Sequence, residues 1–243
     1  MKVMAFARIG VRQKDGSADP KSHIAPGDLC EVADKTLAGF YPVTYPTARG
    51  AKTRWVPELT GFLCNQNAYG GLSYPAPGYS SATVKSGGCG VCAAVNAVGA
   101  LTGKQVPVGE MRDLAVSGGA RVPGGTNMAQ LCVLLKREYG LTSRTTSSVL
   151  ELQAHLRQGG AAICNAAGKG LLSTGGHYVT ALGELGGRIC IADPGLYAGK
   201  YAANVRRKAA VTVSGDLIFV KAGDLDADCS GRWPKYYLLR KGG

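Results

Sequence analysis

The spacing of apolar residues changes at Cys89, and this change constrains the fold more than any other feature of the sequence. Before Cys89, short apolar runs are separated by turn residues, which is typical of strands. After it, Val91, Val95 and Val98 recur three and four residues apart, which indicates a helix. Two more helices and then a series of strands are predicted downstream. Helices followed by strands in this order predict an α+β fold with an antiparallel sheet.

The boundaries of the predicted elements carry recognisable signals. Gly103 and Gly140 follow the first two helices, and Ser148 with Glu151 fits a capping box at the start of the third. Glycine makes up 36 of the 243 residues, which favours many tight turns. The predicted helices span 89–102, 127–139 and 148–157, and the strands after them span 161–164, 177–182, 188–192, 210–213, 217–220 and 236–239.

Residues 1–59 show no helical period and predict short strands, with a polar stretch over residues 12–22 that contains turns at Asp15-Gly16 and Asp19-Pro20. Pro26–Asp28, Gly39–Tyr45 and Arg54–Leu59 occur in an order that resembles a bacterial SH3-like module. The resemblance implies a small all-β domain at 1–59 that binds or targets, followed by a second domain at 60–243. The alternative is an N-terminal β-extension packed on the main domain.

The net charge of +12 favours a polyanionic partner, namely nucleic acid, an anionic membrane surface or an anionic cell wall. No nucleic-acid-binding signature occurs, so we expect no nucleic acid partner. No run of about 18 apolar residues is present, and we expect no membrane insertion. The apolar run between Lys2 and Arg8 is too short for a signal peptide. We therefore expect a chain that stays in the cytoplasm or leaves it by a route without a cleaved signal.

Three short motifs predict a catalytic site. Cys89 follows two glycines at a predicted helix start, where free N–H groups and the helix dipole favour the thiolate. His177 also follows two glycines and opens a strand, so it is placed to act as a general base. Asp193 ends the next strand of a predicted hairpin, which brings it beside His177 to orient the imidazole. Together these residues are typical of nucleophilic cysteine catalysis.

In this order, the motifs of residues 61–195 resemble a C39-like, papain-type cysteine peptidase domain. The resemblance implies Cys89 as nucleophile, His177 as base, Asp193 as orienting acid and Gln66 as oxyanion donor. It leaves Cys92 as an alternative nucleophile, and Asn65 and Asn67 as alternatives to Gln66. The candidate substrate-binding residues beside these motifs are Gly88, Gly176 and Tyr178.

Other roles for these residues remain open. Cys89 and Cys92 have the spacing of a redox pair, although no βαβ unit precedes them. A zinc site would need a second close pair of ligands, so we expect no metal and no cofactor. The alternating acids of Asp224–Asp228 lack the glycine and terminal glutamate of a calcium loop and predict a solvated turn. Most of the eight cysteines are expected to be reduced, and the tyrosines of 60–88 either line a cleft or anchor their loop.

An SH3-like module joined to a papain-type peptidase resembles bacterial and phage cell-wall lysins. It implies a monomeric endopeptidase or amidase that cleaves peptidoglycan, with the wall and its anionic polymers as partners. Such an enzyme would remain cytoplasmic until released and then act at the cell wall. The alternatives are a peptidase that processes a protein or a leader peptide, and a non-catalytic protein that binds the wall.

Overall fold

The computed structural model describes residues 1–36 and 38–242, so Leu37 and Gly243, which fall within the two predicted domains, lie outside the described residues. This part of the chain contains two large antiparallel sheets, a two-stranded ribbon and seven α-helices. The predicted α+β class is confirmed. Nowhere in residues 1–36 and 38–242 does a helix combine the length and apolar character needed to cross a membrane.

The elements are numbered in chain order. The helices are a 3₁₀ turn at Gln66–Ala68, α1 (Val84–Gly87), α2 (Cys89–Thr102), α3 (Val108–Ser117), α4 (Met128–Tyr139), α5 (Val149–Arg157), α6 (Val205–Ala210) and α7 (Ala222–Asp228). The strands are β1 (Lys2–Met4), β2 (Ile9–Arg12), β3 (Ala18–Ile24), β4 (Leu29–Val32), β5 (Tyr41–Thr47), β6 (Gly50–Val56), β7 (Arg121–Val122), β8 (Gly125–Thr126), β9 (Leu141–Thr146), β10 (Ala161–Ala166), β11 (His177–Leu185), β12 (Arg188–Ala192), β13 (Val211–Ser214), β14 (Leu217–Val220) and β15 (Tyr236–Lys241).

The first sheet contains only strands from the N-terminal quarter of the chain, in the order β1-β4-β5-β6-β2-β3. Alternation along β5 places Tyr41, Val43 and Tyr45 in the core. Strand β3 begins inside the polar stretch 12–22 and includes Asp19 and Pro20, so the turn predicted at these two residues is wrong. Because β3 is an edge strand with most side chains exposed, it lacks an apolar alternation and tolerates Pro20.

The second sheet has the order β13-β14-β12-β11-β10-β15-β9, and all neighbouring strands are antiparallel. Helix α2 packs across β10 and β11, and its residues Gly90–Ala100 are all buried. The Thr180 hydroxyl donates to the Ala93 carbonyl oxygen at 2.8 Å, which ties the helix to β11. Strand β1 of the first sheet covers another side of α2. This enclosure explains why the helix is apolar all round.

The two sheets share a continuous core. Tyr41 of the first sheet stacks on Phe219 of the second, with ring centroids 6.3 Å apart and planes 6° apart. The Asp34 carboxylate accepts a hydrogen bond from the Gly186 N–H at 2.6 Å. Such a core suits a β-extension as well as an SH3-like module, so the domain boundary near residue 60 remains a prediction.

Helix α7 corrects a second expectation, because Asp224–Asp228 forms this helix rather than a solvated turn. Asp228 is buried, and its carboxylate accepts hydrogen bonds from the N–H groups of Leu171 and Leu172 at 2.9 and 3.1 Å. These partners lie more than fifty residues away, so local spacing carries no signal of them. The buried carboxylate holds the loop that leads to β11.

Candidate active site

Cys89 is the first residue of α2 and comes directly after the short helix α1. Gly88 joins the two helices, and a Cβ at this position would lie 2.6 Å from the Val84 carbonyl oxygen. The junction therefore requires glycine, because any side chain would push α1 away and displace Cys89. At a helix start the thiol lies beside N–H groups that have no helical partner, which favours the thiolate.

Cys89 differs from the other cysteines in exposure and acidity. It is partly exposed, whereas the other seven are buried. Burial raises the pKa of Cys30 and of Cys164 to about 12. The alternative nucleophile, Cys92, lies in the core, where a hydrogen bond with Cys64 and then burial raise its pKa far above the usual range. Thiolate chemistry is therefore favoured at Cys89.

His177 and Asp193 meet at one edge of the second sheet. Strands β11 and β12 pair antiparallel with Thr180 opposite Ala192, so the start of β11 lies beside the end of β12. Nε2 of His177 is 2.7 Å from Oδ1 of Asp193, and both side chains are buried. This bond fixes the orientation of the imidazole and leaves Nδ1 as the nitrogen available to Cys89.

Asp193 is also held by Lys200 and Tyr201, which sequence reasoning missed. Lys200 Nζ and the Tyr201 hydroxyl donate to Oδ2 at 2.6 and 2.5 Å, and the Gly195 N–H donates to Oδ1 at 2.9 Å. Burial acts to raise the pKa of Asp193, but the hydrogen bond and charge of His177, together with Lys200, hold it well below its usual range. Lys200 and Tyr201 lie in an irregular loop, where no spacing pattern points to the carboxylate.

Cys89 and His177 shift each other's pKa in opposite directions. Burial acts to raise the pKa of Cys89, but the hydrogen bond and charge of His177, and the N–H groups of Tyr178 and Gly90, lower it below its ordinary value of 9.0. Burial acts to lower the pKa of His177, but hydrogen bonds with Asp193 and Cys89 raise it to about 9. Both shifts favour a thiolate–imidazolium pair, the reactive state of a cysteine nucleophile.

Cys89 and His177 line a cleft of about 220 Å³. One wall of this cleft is the turn between β7 and β8, residues 122–126. Arg121 supports the turn, because its Nη1 donates to the carbonyl oxygens of Val122 and Gly125, both at 2.7 Å. The reacting atoms therefore face a concave surface with a braced wall, as substrate binding requires.

The three predicted substrate-binding residues do not share one position. Gly176 and Tyr178 line the cleft on either side of His177 in the chain. Gly88 is buried next to Cys89 in the chain and packs on Val84, so its observed contribution is to the junction of the two helices.

Gln66 lies in the 3₁₀ turn that contacts α1, the helix leading to Cys89. Its Nε2 donates to the Lys85 carbonyl oxygen at 2.8 Å. Asn65 and Asn67 both donate their side-chain amides to the Leu196 carbonyl oxygen instead, at 2.7 and 3.0 Å. Of the three amides, only that of Gln66 is directed toward α1, yet it is not among the groups lining the cleft. Its role as oxyanion donor stays a prediction.

The tyrosines of the loop 60–88 anchor it rather than line this cleft. Tyr74 is buried, its hydroxyl lies 3.0 Å from Thr126 Oγ1, and the Arg121 guanidinium lies 4.2 Å from its ring centroid. Tyr69 packs partly buried against the core, and Tyr79 is half exposed. Tyr74 thus supports the turn that forms the cleft wall.

The other two histidines have structural surroundings. His155 Nε2 lies 2.8 Å from the Leu239 carbonyl oxygen, inside the second sheet and its helices. His23 lies in β3 with Nδ1 at 3.4 Å from Arg8 Nη2. Among residues 1–36 and 38–242, no three His, Cys, Asp or Glu side chains are grouped to hold a metal ion.

The pH dependence of Cys89 alkylation should reveal the thiolate–imidazolium pair. We expect iodoacetamide to react with a midpoint below pH 9.0, because His177 lowers the thiol pKa. In a His177→Ala variant the imidazole no longer lowers the pKa of Cys89, whereas burial still raises it. The midpoint of alkylation should therefore move to higher pH. Mass spectrometry of the Cys89 peptide between pH 5 and 11 measures both profiles. Identical midpoints in the two proteins would rule out the pair.

The arrangement is suited to attack on a carbonyl carbon with transfer of a proton to the leaving group. Cys89 stands at a helix start, His177 opens a strand, and Asp193 directly follows the neighbouring strand. A scan against protein-family models found no match to this chain, and a search of curated proteins found none either.

Proposed function

We propose that this protein is a cysteine-dependent hydrolase that cleaves amide bonds of bacterial peptidoglycan. The observation that carries the proposal is the 2.7 Å bond between His177 Nε2 and Asp193 Oδ1, in a cleft that His177 lines together with Cys89, the first residue of a helix. A perturbed thiol and imidazole in one cleft, with an ionised carboxylate behind them, fit the requirements of acyl transfer.

The residues divide the reaction between them. The Cys89 thiolate attacks the amide carbonyl carbon, and the protonated Nδ1 of His177 gives its proton to the departing amine. This leaves a thioester, and neutral His177 then takes a proton from water, which attacks the thioester and releases the acid. Asp193 keeps Nε2 protonated throughout. The Cys89 N–H, with Gln66 if its amide turns into the cleft, stabilises the oxyanion.

The finer fold assignment belongs to the same proposal. A helix that begins with the nucleophile and packs on an antiparallel sheet carrying the histidine and the acid supports a papain-like domain at 60–243. Six short antiparallel strands support an SH3-like module at 1–59.

The charge distribution supports a wall polymer as the partner. The net charge is +12, and a concave surface of about 660 Å³ on the first sheet includes Lys21, Arg49 and Lys52. Anionic wall polymers would be attracted to such a surface. In this proposal the first sheet holds the enzyme on the wall while the cleft acts on peptide cross-links.

Salt should separate targeting from chemistry. Lysis of intact walls should fall several-fold as NaCl rises from about 0.05 to 0.5 M, because salt screens attraction between exposed charges. Hydrolysis of a small neutral peptide should change far less. A Lys21→Gln/Arg49→Gln variant should lyse walls more slowly at low salt but match the wild type at high salt. Equal salt dependence of wall and peptide cleavage would contradict a targeting role for the charge.

Purified peptidoglycan tests the substrate class. We expect new free amino groups to appear without new reducing sugar ends, because the chemistry is amide cleavage. Cleavage of soluble peptides without any effect on walls would favour a protein-processing peptidase. Wall binding that survives Cys89→Ala, with no cleavage by either protein, would favour a non-catalytic wall-binding protein.

A further inference from the structure

Arg232 reaches the catalytic cleft from a distant part of the chain. It lies in the turn between α7 and β15, and its N–H donates to the Cys229 carbonyl oxygen at 3.2 Å. Its guanidinium rests against Gly176, the residue before the catalytic histidine, where a Cβ would overlap Nη2. Gly176 is therefore the residue that allows the charge to lie beside His177.

The turn that carries Arg232 is hydrogen-bonded to Asn165, a residue that lines the cleft. Asn165, which also lines the cleft, donates its backbone N–H to the Lys235 carbonyl oxygen at 2.8 Å. Its Nδ2 lies 3.3 Å from the Pro234 carbonyl oxygen. In the sheet, Asn165 pairs with Tyr178, one residue beyond His177. These contacts tie the position of Arg232 to the reacting groups.

The positive charge of Arg232 has no acidic partner in the described part of the chain. No carboxylate there lies within ion-pair distance of its guanidinium, and Arg232 is exposed to solvent. Among residues 1–36 and 38–242 it is also the one Lys, Arg, Asp or Glu that lines the cleft. Asp193 is buried and already accepts bonds from His177, Lys200 and Tyr201. The cleft that Cys89 lines therefore presents an uncompensated cation beside Gly176.

We propose that Arg232 is a subsite for a free carboxylate on the substrate residue next to the scissile amide. The inference rests on the proposed amide hydrolysis and narrows its substrate class to peptides with a chain-terminal or side-chain carboxylate at that position. A guanidinium suits this role because it stays charged and its planar donors match both oxygens of a carboxylate. Binding there would place the neighbouring carbonyl group over Cys89.

Two alkylating reagents test the subsite without any need for the natural substrate. The thiolate displaces iodide from both iodoacetate and iodoacetamide, and the reagents differ in carrying a carboxylate or a neutral amide. The rate of Cys89 alkylation by iodoacetate divided by the rate with iodoacetamide therefore reports attraction of a carboxylate to the cleft. A change in the fraction of Cys89 that is thiolate affects both rates equally and cancels from this ratio. We expect this ratio to fall about fivefold in Arg232→Gln and to be largely kept in Arg232→Lys.

Two further variants provide an intermediate case and a control. Gly176→Ala should push the guanidinium away from His177 and lower the ratio by an intermediate amount. Arg240→Gln removes an exposed arginine of β15 outside the cleft and should leave the ratio at the wild-type value. A wild-type ratio in Arg232→Gln would overturn the subsite, even if the protein hydrolyses walls.

Peptide substrates test the same preference for a carboxylate during hydrolysis. Paired peptides with a free carboxylate or a carboxamide beside the scissile bond should differ in kcat/KM for the wild type, and Arg232→Gln should abolish the difference. A Cys89 that is unreactive toward both reagents in the wild type would instead contradict the proposed function, and the subsite with it.

Discussion

Replacing Cys89 with alanine should reduce wall hydrolysis by about 10⁴-fold or more, because the reaction then lacks the atom that forms the acyl-enzyme. The variant should fold normally, since Cys89 is only partly buried and alanine suits a helix start next to Gly88. Initial rates of amine release, with circular dichroism to verify folding, measure the effect. Because Cys89→Ala removes only the sulfur atom, a loss of activity in a folded variant is a loss of chemistry and not of structure.

Cys92→Ala is the matched control for this prediction. Cys92 lies one turn along the same helix and is completely buried, so its truncation should cost about 1 kcal/mol of stability. We expect its hydrolytic rate at 25 °C to stay within a few-fold of wild type. The reverse outcome, an active Cys89→Ala and an inactive but folded Cys92→Ala, would move the nucleophile to Cys92.

Asp193→Ala should damage both activity and stability. Loss of the carboxylate frees the imidazole to rotate and removes the charge that favours its protonated form, so kcat/KM should fall by about 10²–10⁴-fold. It also leaves the buried ammonium of Lys200 without its partner. Breaking a buried pair by removing one member typically costs about 3–5 kcal/mol, measurable by urea denaturation.

A second substitution separates the two consequences. In Asp193→Ala/Lys200→Met the unpaired ammonium is gone, and much of the lost stability should return, whereas activity should stay low. Tyr201→Phe, which removes one hydrogen bond to Asp193, should cost about 1 kcal/mol and retain activity. Recovery of activity in the double variant would show that Asp193 serves the fold and not the reaction.

Three residues of the candidate site were recognisable because each lies at the end of a regular element. The helix pattern begins at Cys89, and the hairpin signal between His177 and Asp193 implies adjacent strand ends. Lys200 and Arg232 lie in irregular loops, where neither spacing nor composition indicates what a side chain will contact. Their placement depends on how the loops pack against the finished sheet.

The same contrast holds for the fold. Helices α4 and α5 were predictable because their apolar faces and capping residues agree, and α2 because its apolar spacing ends at Gly103. The edge strands β3 and β9 were not, since most of their residues face solvent and no alternation is needed. Helix α7 was hidden for a different reason: its acidic Asp228 is stabilised by backbone groups far away in the sequence.

Titration of the wild-type protein with iodoacetamide tests the central claim most directly, because it needs no variant. Residual amine-releasing activity on purified peptidoglycan is plotted against the fraction of Cys89 that carries the label, as measured by peptide mass spectrometry. We predict a straight line that reaches zero activity when every chain carries one label, on Cys89, with the buried cysteines unmodified. Activity that persists when Cys89 is fully labelled would contradict the proposed catalytic role of Cys89, His177 and Asp193.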